Sequence, residues 1–452
     1  MSVSAGEEGT ANLRSAEDMA TFRQLLVNTL VSGVTSTFLW FALTFWVYLE
    51  TRSVVATGVI GGAFGIASAV IAPAFGTYVD RHRKHAAMVL ATSLSALCFA
   101  IAALVYILIG TSELLRLDQP WFWILVAATL AGSVAGMLRS IALSTCVTLL
   151  VPEDRRDRAN GMVGTVTGVS FAVTSVFSGL VVGRLGMGWA LGASVVLTFA
   201  CLLHLQTIHI DEPEPEVVDG EVMPKVDVRG ALDAIRAVPG LGMLIALAAF
   251  NNLLNGVFMA LMDAYGLELV SVETWGLIWG FISMAFIVGG LIVARRGLGP
   301  KPLRLILLFN LINWFVCATF ALRSSIVPLA VGMFVWLTLT PMIEAAEQTV
   351  LQKVIPFERQ GRVFGFAQLV ENAAAPITAF VVGPLAETVV MPFMTDGSGA
   401  NAIGGWFGSG PDRGIALMFT LSGLVGIVVT VLVWRGRSYR RLGTRFEASP
   451  VG

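Results

Sequence analysis

The sequence predicts an all-α membrane protein in which twelve transmembrane helices form two pseudo-symmetric six-helix bundles. Three observations predict this fold: a series of long apolar segments, a charged motif that occurs twice, and positive charge confined mainly to alternate connections. Composition agrees, because 56% of the residues are hydrophobic and 13% are charged, with a mean hydropathy of +0.79. A soluble domain usually carries about 25% charged residues and could not keep this much apolar surface from water.

Each apolar segment is long enough to cross a bilayer as a helix, since about 20 apolar residues span about 30 Å of hydrocarbon. The segments lack the polar–apolar alternation of barrel strands, which leaves helices as the structure that satisfies the backbone in lipid. The predicted spans are Leu25–Leu49, Val54–Tyr78, Ala86–Ile109, Trp121–Leu150, Ala159–Val182, Met187–Leu205, Leu241–Asp263, Trp275–Ala294, Leu303–Leu322, Ile326–Gln348, Phe364–Val390 and Ile415–Trp434.

These spans divide the chain into five parts: an N-terminal tail (1–22), an N-terminal bundle (23–207), a linker (208–239), a C-terminal bundle (240–435) and a C-terminal tail (436–452). The linker begins with an acidic, proline-rich stretch, Asp211–Asp219, which is expected to be extended. Its second part, Val228–Val238, is expected to form a short amphipathic helix on the inner leaflet. A segment of fewer than about 40 residues is too short for a catalytic domain.

The segment VPEDRRDRANG, Val151–Gly161, is repeated as IPFERQGRVFG, Ile355–Gly365. The matching residues share an offset of 204: Pro152 and Pro356, Asp154 and Glu358, Arg155 and Arg359, Arg158 and Arg362, and Gly161 and Gly365. Each copy lies between two apolar segments, so the same charged turn is used in each half. Two similar membrane halves are typical of secondary transporters.

Positive charge is distributed unequally between the two sides of the predicted membrane. If the spans alternate in direction, 23 of the 29 Lys and Arg residues lie on the side that carries both termini. Five lie on the other side, namely Arg52, Arg116, Arg184, Arg323 and Arg413, and Arg139 lies within a span. This bias predicts that both termini lie in the cytoplasm and supports an even number of spans. The expected location of this multi-pass protein is the plasma (inner) membrane.

The segment GTYVDRHRKH, Gly76–His85, resembles the cytoplasmic motif of the major facilitator superfamily. Gly76, Asp80 and Arg81 match the motif, and Lys84 and His85 occupy its two basic positions, while Arg83 stands where the motif usually has glycine. The resemblance implies that Asp80 pairs with the start of the eleventh span, between Arg362 and Gly365. This pairing is expected to help keep the cytoplasmic side closed in the outward-facing state. A helix N-terminus favours such an anion. The alternative is a solvated, positively charged turn.

The second copy of the repeat, followed by GPLAE (Gly383–Glu387), resembles the macrolide-efflux-like and siderophore-exporter branch of that superfamily. The resemblance implies a monomer that moves a small molecule by alternating access. Two features depart from the family: ARRGLGPKP, Ala294–Pro302, has no aspartate, and the fifth span lacks the Gly-Pro pair of the antiporter motif. The expected cytoplasmic gate consists of Gly76, Asp80, Arg81, Lys84, Arg155, Arg158, Glu358, Arg359 and Arg362.

Polar residues inside the spans predict a cavity, because each is costly unless it faces water or a partner. The candidates for proton coupling or substrate contact are Glu371, Glu344, Glu347, Asn372, Asn251, Asn255, Arg139 and Asn313. Glu344 and Glu347 are three residues apart and therefore share a helix face. Structural bonds between helices are the alternative for Glu371 and the asparagines, and ion pairs at the gate are the alternative for Glu344 and Glu347. Arg139 is expected to pair with a carboxylate or with carbonyl groups.

The sequence contains no phosphate-binding loop and no cluster with metal-ligand spacing, and its four cysteines lie in spans at unrelated positions. No cofactor, no metal, no enzymatic activity and no nucleic-acid partner are therefore predicted. An ion or substrate gradient must supply the energy. The leading hypothesis is proton-coupled efflux of lipophilic, drug-like compounds by a drug-resistance type of antiporter in contact with membrane lipid. The alternative is an exporter or flippase-like facilitator of an amphiphile, such as a lysophospholipid or a siderophore.

Overall fold

The computed structural model of this chain describes residues 3–51, 54–116, 118–212 and 226–448. Twelve of its helices are long and apolar enough to cross a membrane, and no strand occurs in these ranges. The predicted fold class is confirmed. The twelve helices are α1 (Val3–Thr51), α2 (Val54–Arg81), α3 (Lys84–Ile109), α4 (Pro120–Leu150), α5 (Arg156–Leu185), α6 (Met187–Gln206), α7 (Leu241–Leu269), α8 (Val272–Arg296), α9 (Pro302–Thr319), α10 (Ile326–Val354), α11 (Gln360–Leu385) and α12 (Pro411–Arg435).

The segments outside these helices differ in detail from the prediction. Helix α1 begins at Val3, within the predicted tail, and most of the predicted acidic stretch lies outside the described residues, as do Arg52 and Lys225. The linker does contain a short helix, Val228–Ala237, but its apolar residues join the protein core instead of facing lipid. Short helices Thr111–Leu114, Met391–Thr395 and Ser398–Phe407 lie in connections, and Arg437–Ala448 forms a C-terminal helix.

The sequence repeat is also a repeat of structure. In each half, one turn of 3₁₀-helix precedes the long helix α5 or α11. Arg156 closes the first copy by donating from Nε to the carbonyl of Val151 at 3.1 Å. Gln360, at the equivalent position 204 residues later, donates from Nε2 to the carbonyl of Ile355 at 3.1 Å. Different side chains therefore stabilise the same turn in both halves.

The apolar cores show where the two halves meet. We call the end of the bundle with the α2–α3, α4–α5 and α10–α11 connections the terminal face, and the opposite end the distal face. One core at the terminal face includes residues of both halves, such as Leu150, Val293 and Val363. Towards the distal face the core divides into one cluster in the N-terminal half, around Phe122, and another in the C-terminal half, around Phe258.

Glycines along the contacts between the halves also show that the halves are close at the terminal face and apart nearer the distal face. A Cβ atom on Gly76 of α2 would lie 2.9 Å from the carbonyl carbon of Gly361, so α2 and α11 touch at backbone distance. A Cβ atom on Gly161 of α5 would lie 2.8 Å from the carbonyl carbon of Val293 in α8. Nearer the distal face, Gly62 of α2 and Gly179 of α5 have no such neighbour within 4 Å. The halves are joined at the terminal face and separate towards the distal face.

Candidate functional site

A cavity of about 100 Å³ lies in the C-terminal half between α7, α9, α10 and α11. Its lining is mainly asparagine and glutamate, with two tryptophans, and contains no basic side chain. The lining residues are Ala248, Asn251, Asn252, Asn255, Asn310, Asn313, Trp314, Trp336, Thr340, Ile343, Glu344, Glu347 and Glu371. Six of the eight polar residues predicted for a cavity are among them.

The three carboxylates come from two helices. Glu344 and Glu347 lie on one face of α10, and Glu371 lies about three turns into α11. Pro341, one turn before Glu344, stands opposite Gly164 of α5, where the missing Cβ leaves room for the proline ring. Atom Oε1 of Glu347 is buried and has no hydrogen-bond partner. Among the described residues, no ion pair joins Glu344 or Glu347 to the basic turns of the terminal face.

The asparagines form the opposite wall. Asn251 donates from Nδ2 to Oδ1 of Asn310 at 3.0 Å, and its own Oδ1 accepts from the indole Nε1 of Trp314 at 3.2 Å. Asn313 is also buried, but its Oδ1 has no partner, and the same is true of Nδ2 of Asn310. Because buried polar atoms are nearly always hydrogen-bonded, these unpaired atoms call for an explanation.

Two residues predicted for the cavity do not line it. Asn372 follows Glu371 directly on α11, so its side chain points about a quarter-turn away and is exposed. Arg139 of α4 is buried within the N-terminal half. It donates to the side-chain carbonyl of Asn28 and to the hydroxyls of Thr29 and Thr92, at 3.2 and 3.1 Å. Arg139 was expected to pair with a carboxylate or with carbonyl groups. Among the described residues it has no carboxylate partner, and the carbonyl group that it binds is the side-chain amide carbonyl of Asn28.

At the terminal face, Asp80 joins the end of α2 to the start of α11. Its carboxylate accepts from the backbone N–H groups of Gly361 and Arg362, at 2.6 and 2.9 Å, and from Nε of Arg362 at 2.8 Å. The first N–H groups of a helix have no partner within the helix, and the helix dipole favours an anion there. This is the contact that the family resemblance implied. Its role in gating remains a prediction.

The linker adds a second carboxylate to the same arginine. Asp227, which caps the linker helix, accepts from Nη1 of Arg362 at 2.6 Å and donates its backbone N–H to Thr77 of α2 at 3.0 Å. Sequence reasoning missed Asp227. The one local signal was an aspartate immediately before a short amphipathic helix, a favoured capping position.

Lys84 also contributes to the terminal face, though not through an ion pair. Its Nζ lies 4.9 Å from the centroid of the Phe357 ring, which belongs to the other half. The N-terminus of α3, where Lys84 begins the helix, is capped by Glu212 from the linker, which accepts the N–H of His85 at 2.7 Å. Both described ends of the linker are therefore fixed to the terminal face.

A second seam joins α5 to the α8–α9 connection. Asp157, in the first turn of α5, accepts from the backbone N–H of Leu298 at 2.6 Å. Beside it, Nζ of Lys353 on α10 lies 2.7 Å from the Glu153 carboxylate. Sequence analysis did not identify Asp157, because its partner is a backbone group and leaves no side-chain motif.

The remaining predicted gate residues lie at the terminal face but outside these two seams. Arg155, Arg158, Glu358 and Arg359 are exposed, and Arg155 forms an ion pair only with its neighbour Asp154 at 3.8 Å. Arg81 is half-buried. Within the described ranges, no hydrogen bond or ion pair between the halves involves the four exposed residues. The charged positions of the repeat are largely solvated.

Two repeated six-helix halves, joined at one face and holding a polar cavity inside the membrane span, define a secondary membrane transporter. The family model described as Major Facilitator Superfamily matches residues 25–379, and the chain belongs to that superfamily. Its members are transporters and not enzymes, and they bind small-molecule substrates.

Solved structures share the fold at low sequence identity. The human organic anion transporter MFSD10 (TETRAN) has a TM-score of 0.68 and 14% identity, over 91% of this chain and 99% of that one. A bacterial homologue of the iron transporter ferroportin, in an outward-facing state, has a TM-score of 0.70 and 14% identity, over 92% and 100%. The proton:xylose symporter XylE has a TM-score of 0.61 and 14% identity, over 92% and 96%. No match was found among curated proteins.

Proposed function

We propose that this transporter exports lipophilic, drug-like compounds in exchange for protons, as a monomer in the plasma (inner) membrane with both termini cytoplasmic. The charge bias supports this orientation, since 23 of 29 Lys and Arg residues belong to the side of the termini. In this orientation the terminal face is cytoplasmic. The conformation is then outward-facing, and the Asp80 and Asp157 seams close the path to the cytoplasm.

The observation that carries the proposal is the group of three glutamates around one cavity without a basic partner. Carboxylates inside membrane helices mark proton relays in pumps and transporters. Glu371 is the proposed coupling residue, because it faces the cavity from α11, the helix that Asp80 holds at the terminal face. Protonation at this position can thereby be linked to the movement of one half against the other.

The lipophilic substrate is supported by aromatic side chains in the N-terminal half. Trp40 and Phe41 of α1 have ring centroids 4.8 Å apart, and they reach Phe64 at 5.5 Å and Phe171 at 6.1 Å, respectively. Phe171 is 40% exposed. Such rings offer a large apolar surface to a substrate that lies between the halves. The resemblance to the macrolide-efflux-like branch supports the same substrate class.

One observation favours the second candidate, an exporter of an amphiphile such as a lysophospholipid or siderophore. The cavity of about 100 Å³ is smaller than the roughly 300–1,000 Å³ of a pocket for a drug-sized ligand. It can hold a polar head group while the apolar remainder lies between the separated halves. A drug-like molecule with one polar end would bind in the same way.

The test is transport in proteoliposomes. We expect an imposed pH gradient to drive accumulation of a lipophilic fluorescent dye, and Glu371→Gln to abolish that accumulation. Glu268→Gln is the matched control, because Glu268 lies on α7 of the same half but is exposed and does not line the cavity. Dye movement that is the same with and without the pH gradient would refute proton coupling. Transport of a fluorescent lysophospholipid but not of the dye would favour the second candidate.

A further inference from the structure

We propose that the cavity in the C-terminal half binds an organic ammonium group, so that the preferred substrates are amines or other compounds with a cationic end. The inference rests on the proposed function only in taking this cavity as part of the transport path. It requires no particular coupling ion.

The charge of the cavity is the first argument. Glu344, Glu347 and Glu371 all line it, and no lysine, arginine or histidine does. None of the three forms an ion pair with any residue that the structure describes. Away from bulk water the attraction between opposite charges is stronger than at a surface. A cationic group would therefore gain energy here, and an anionic group would be repelled.

The unpaired atoms of the lining are the second argument, and one of them, Oδ1 of Asn313, is independent of the carboxylates. Asn313 is 5% exposed, lines the cavity, and has no hydrogen-bond partner for Oδ1. Oε1 of Glu347 is also buried and unpaired. Leaving a buried acceptor unpaired costs roughly 1–3 kcal/mol. Both atoms are acceptors, which the N–H donors of an ammonium group can satisfy, and the lining holds one unpaired donor beside them, Nδ2 of Asn310.

The tryptophans complete the site. Trp314 and Trp336 line the same cavity, and an aromatic face attracts a cation that lies within about 6 Å of it. The indole N–H of Trp314 already donates to Asn251 at 3.2 Å, so it does not compete for the acceptors left to the ligand. The cavity thus combines three carboxyl groups, unpaired acceptors and two tryptophan side chains, and its volume of about 100 Å³ has room for a head group only.

Binding to the purified protein in detergent tests the inference without any gradient. Isothermal titration calorimetry would compare 4-phenylbutylammonium, 4-phenylbutan-1-ol and 5-phenylpentanoate, which share the phenylbutyl chain and differ only in the terminal group. We expect the ammonium to bind at least tenfold more tightly than the alcohol and the carboxylate not to bind. Glu347→Gln should weaken the ammonium about tenfold and leave the alcohol unchanged, while the exposed control Glu268→Gln should change neither.

A second variant keeps the inference testable if Glu347→Gln fails to fold. Asn313→Leu removes the free acceptor without changing charge, and we expect it to weaken the ammonium severalfold while the protein elutes as wild type on size exclusion. Equal or tighter binding of the alcohol or the carboxylate, or no binding of the ammonium, would overturn the inference. Selective ammonium binding without proton-driven transport would instead refute the proposed coupling and leave this inference intact.

Discussion

Each of the two seams of the terminal face is closed by a carboxylate of the N-terminal half, but the two carboxylates lie at opposite ends of their helices. Where α2 meets α11, Asp80 at the end of α2 accepts from Gly361 and Arg362 in the first turn of α11. Where α5 meets α8, Asp157 lies in the first turn of α5 and accepts from Leu298, just after α8. In the first seam the helix N-terminus donates; in the second it carries the acceptor.

The repeat explains how this reversal arises. Asp157 and Gly361 occupy equivalent positions, 204 residues apart, so the position that donates in one copy carries the carboxylate in the other. The α8–α9 connection lacks the aspartate that α2 supplies, and Asp157 replaces it from across the seam. Pseudo-symmetry therefore preserves the bond between the halves, and not the residue that provides it.

The seams also differ in strength. Asp80 accepts two backbone bonds and one arginine bond, and its side chain is 1% exposed. Asp157 bonds across the seam to one backbone group and remains half-buried. The α2–α11 seam should accordingly dominate the closed state, and the following variants test that ranking.

Asp80→Asn should have the largest effect. Removing one partner of a buried ion pair costs about 3–5 kcal/mol. Because Arg362 keeps Asp227 as a second partner, we expect the lower end of this range. We expect at least a tenfold loss of transport with normal expression. Asp154→Asn is the control, since the Asp154 side chain is 77% exposed in a neighbouring turn. Unchanged transport in Asp80→Asn would remove the gating role.

A distance measurement can follow the same change directly. Spin labels at Gly62→Cys of α2 and Gly383→Cys of α11, in a protein whose four native cysteines are replaced, would report the distal opening. Both glycines have open space around them, so a label should be tolerated. When the terminal face opens, the distal face must close, and we expect Asp80→Asn to shorten this distance.

Asp227→Asn should have an intermediate effect. Asparagine keeps the helix cap but loses the charge that pairs with Arg362, whose side chain and that of Asp227 are each 11% exposed. We expect the closed state to lose about 1.5 kcal/mol, as for one hydrogen bond to a charged group. The label distance should shift in the direction of Asp80→Asn, but less. A shift as large as that of Asp80→Asn would make the linker, and not α2, the main clamp.

The sequence predicted those features that depend on the chemical type of the side chains. Apolar length set the twelve spans, and the isolated polar positions of α7, α10 and α11 identified most of the cavity. Asn372 does not line this cavity because adjacent helical residues point in different directions, and Arg139 does not because it is bonded inside the N-terminal half. A role of either residue in transport stays a prediction.

The gate was harder to predict because several of its bonds are donated by backbone N–H groups. Asp80 was found through its motif, but Gly361 and Leu298 donate with main-chain N–H groups that any residue has. The conspicuous arginines of the repeat, Arg155 and Arg359, are solvated instead. Basic residues at a turn between spans can set the orientation of the protein in the membrane without contacting the other half.

Asp157→Asn should have the smallest effect of the three aspartate variants. Asparagine keeps an oxygen that can accept from Leu298, and only the charge is lost. Bonds to an ionised acceptor are about twice as strong as neutral ones, so the closed state should lose about 1 kcal/mol or less. Transport should fall less than fivefold, with a label distance close to wild type. A loss of transport equal to that of Asp80→Asn would contradict the ranking. It would mean that the two seams open as one unit, so that weakening one of them opens the terminal face.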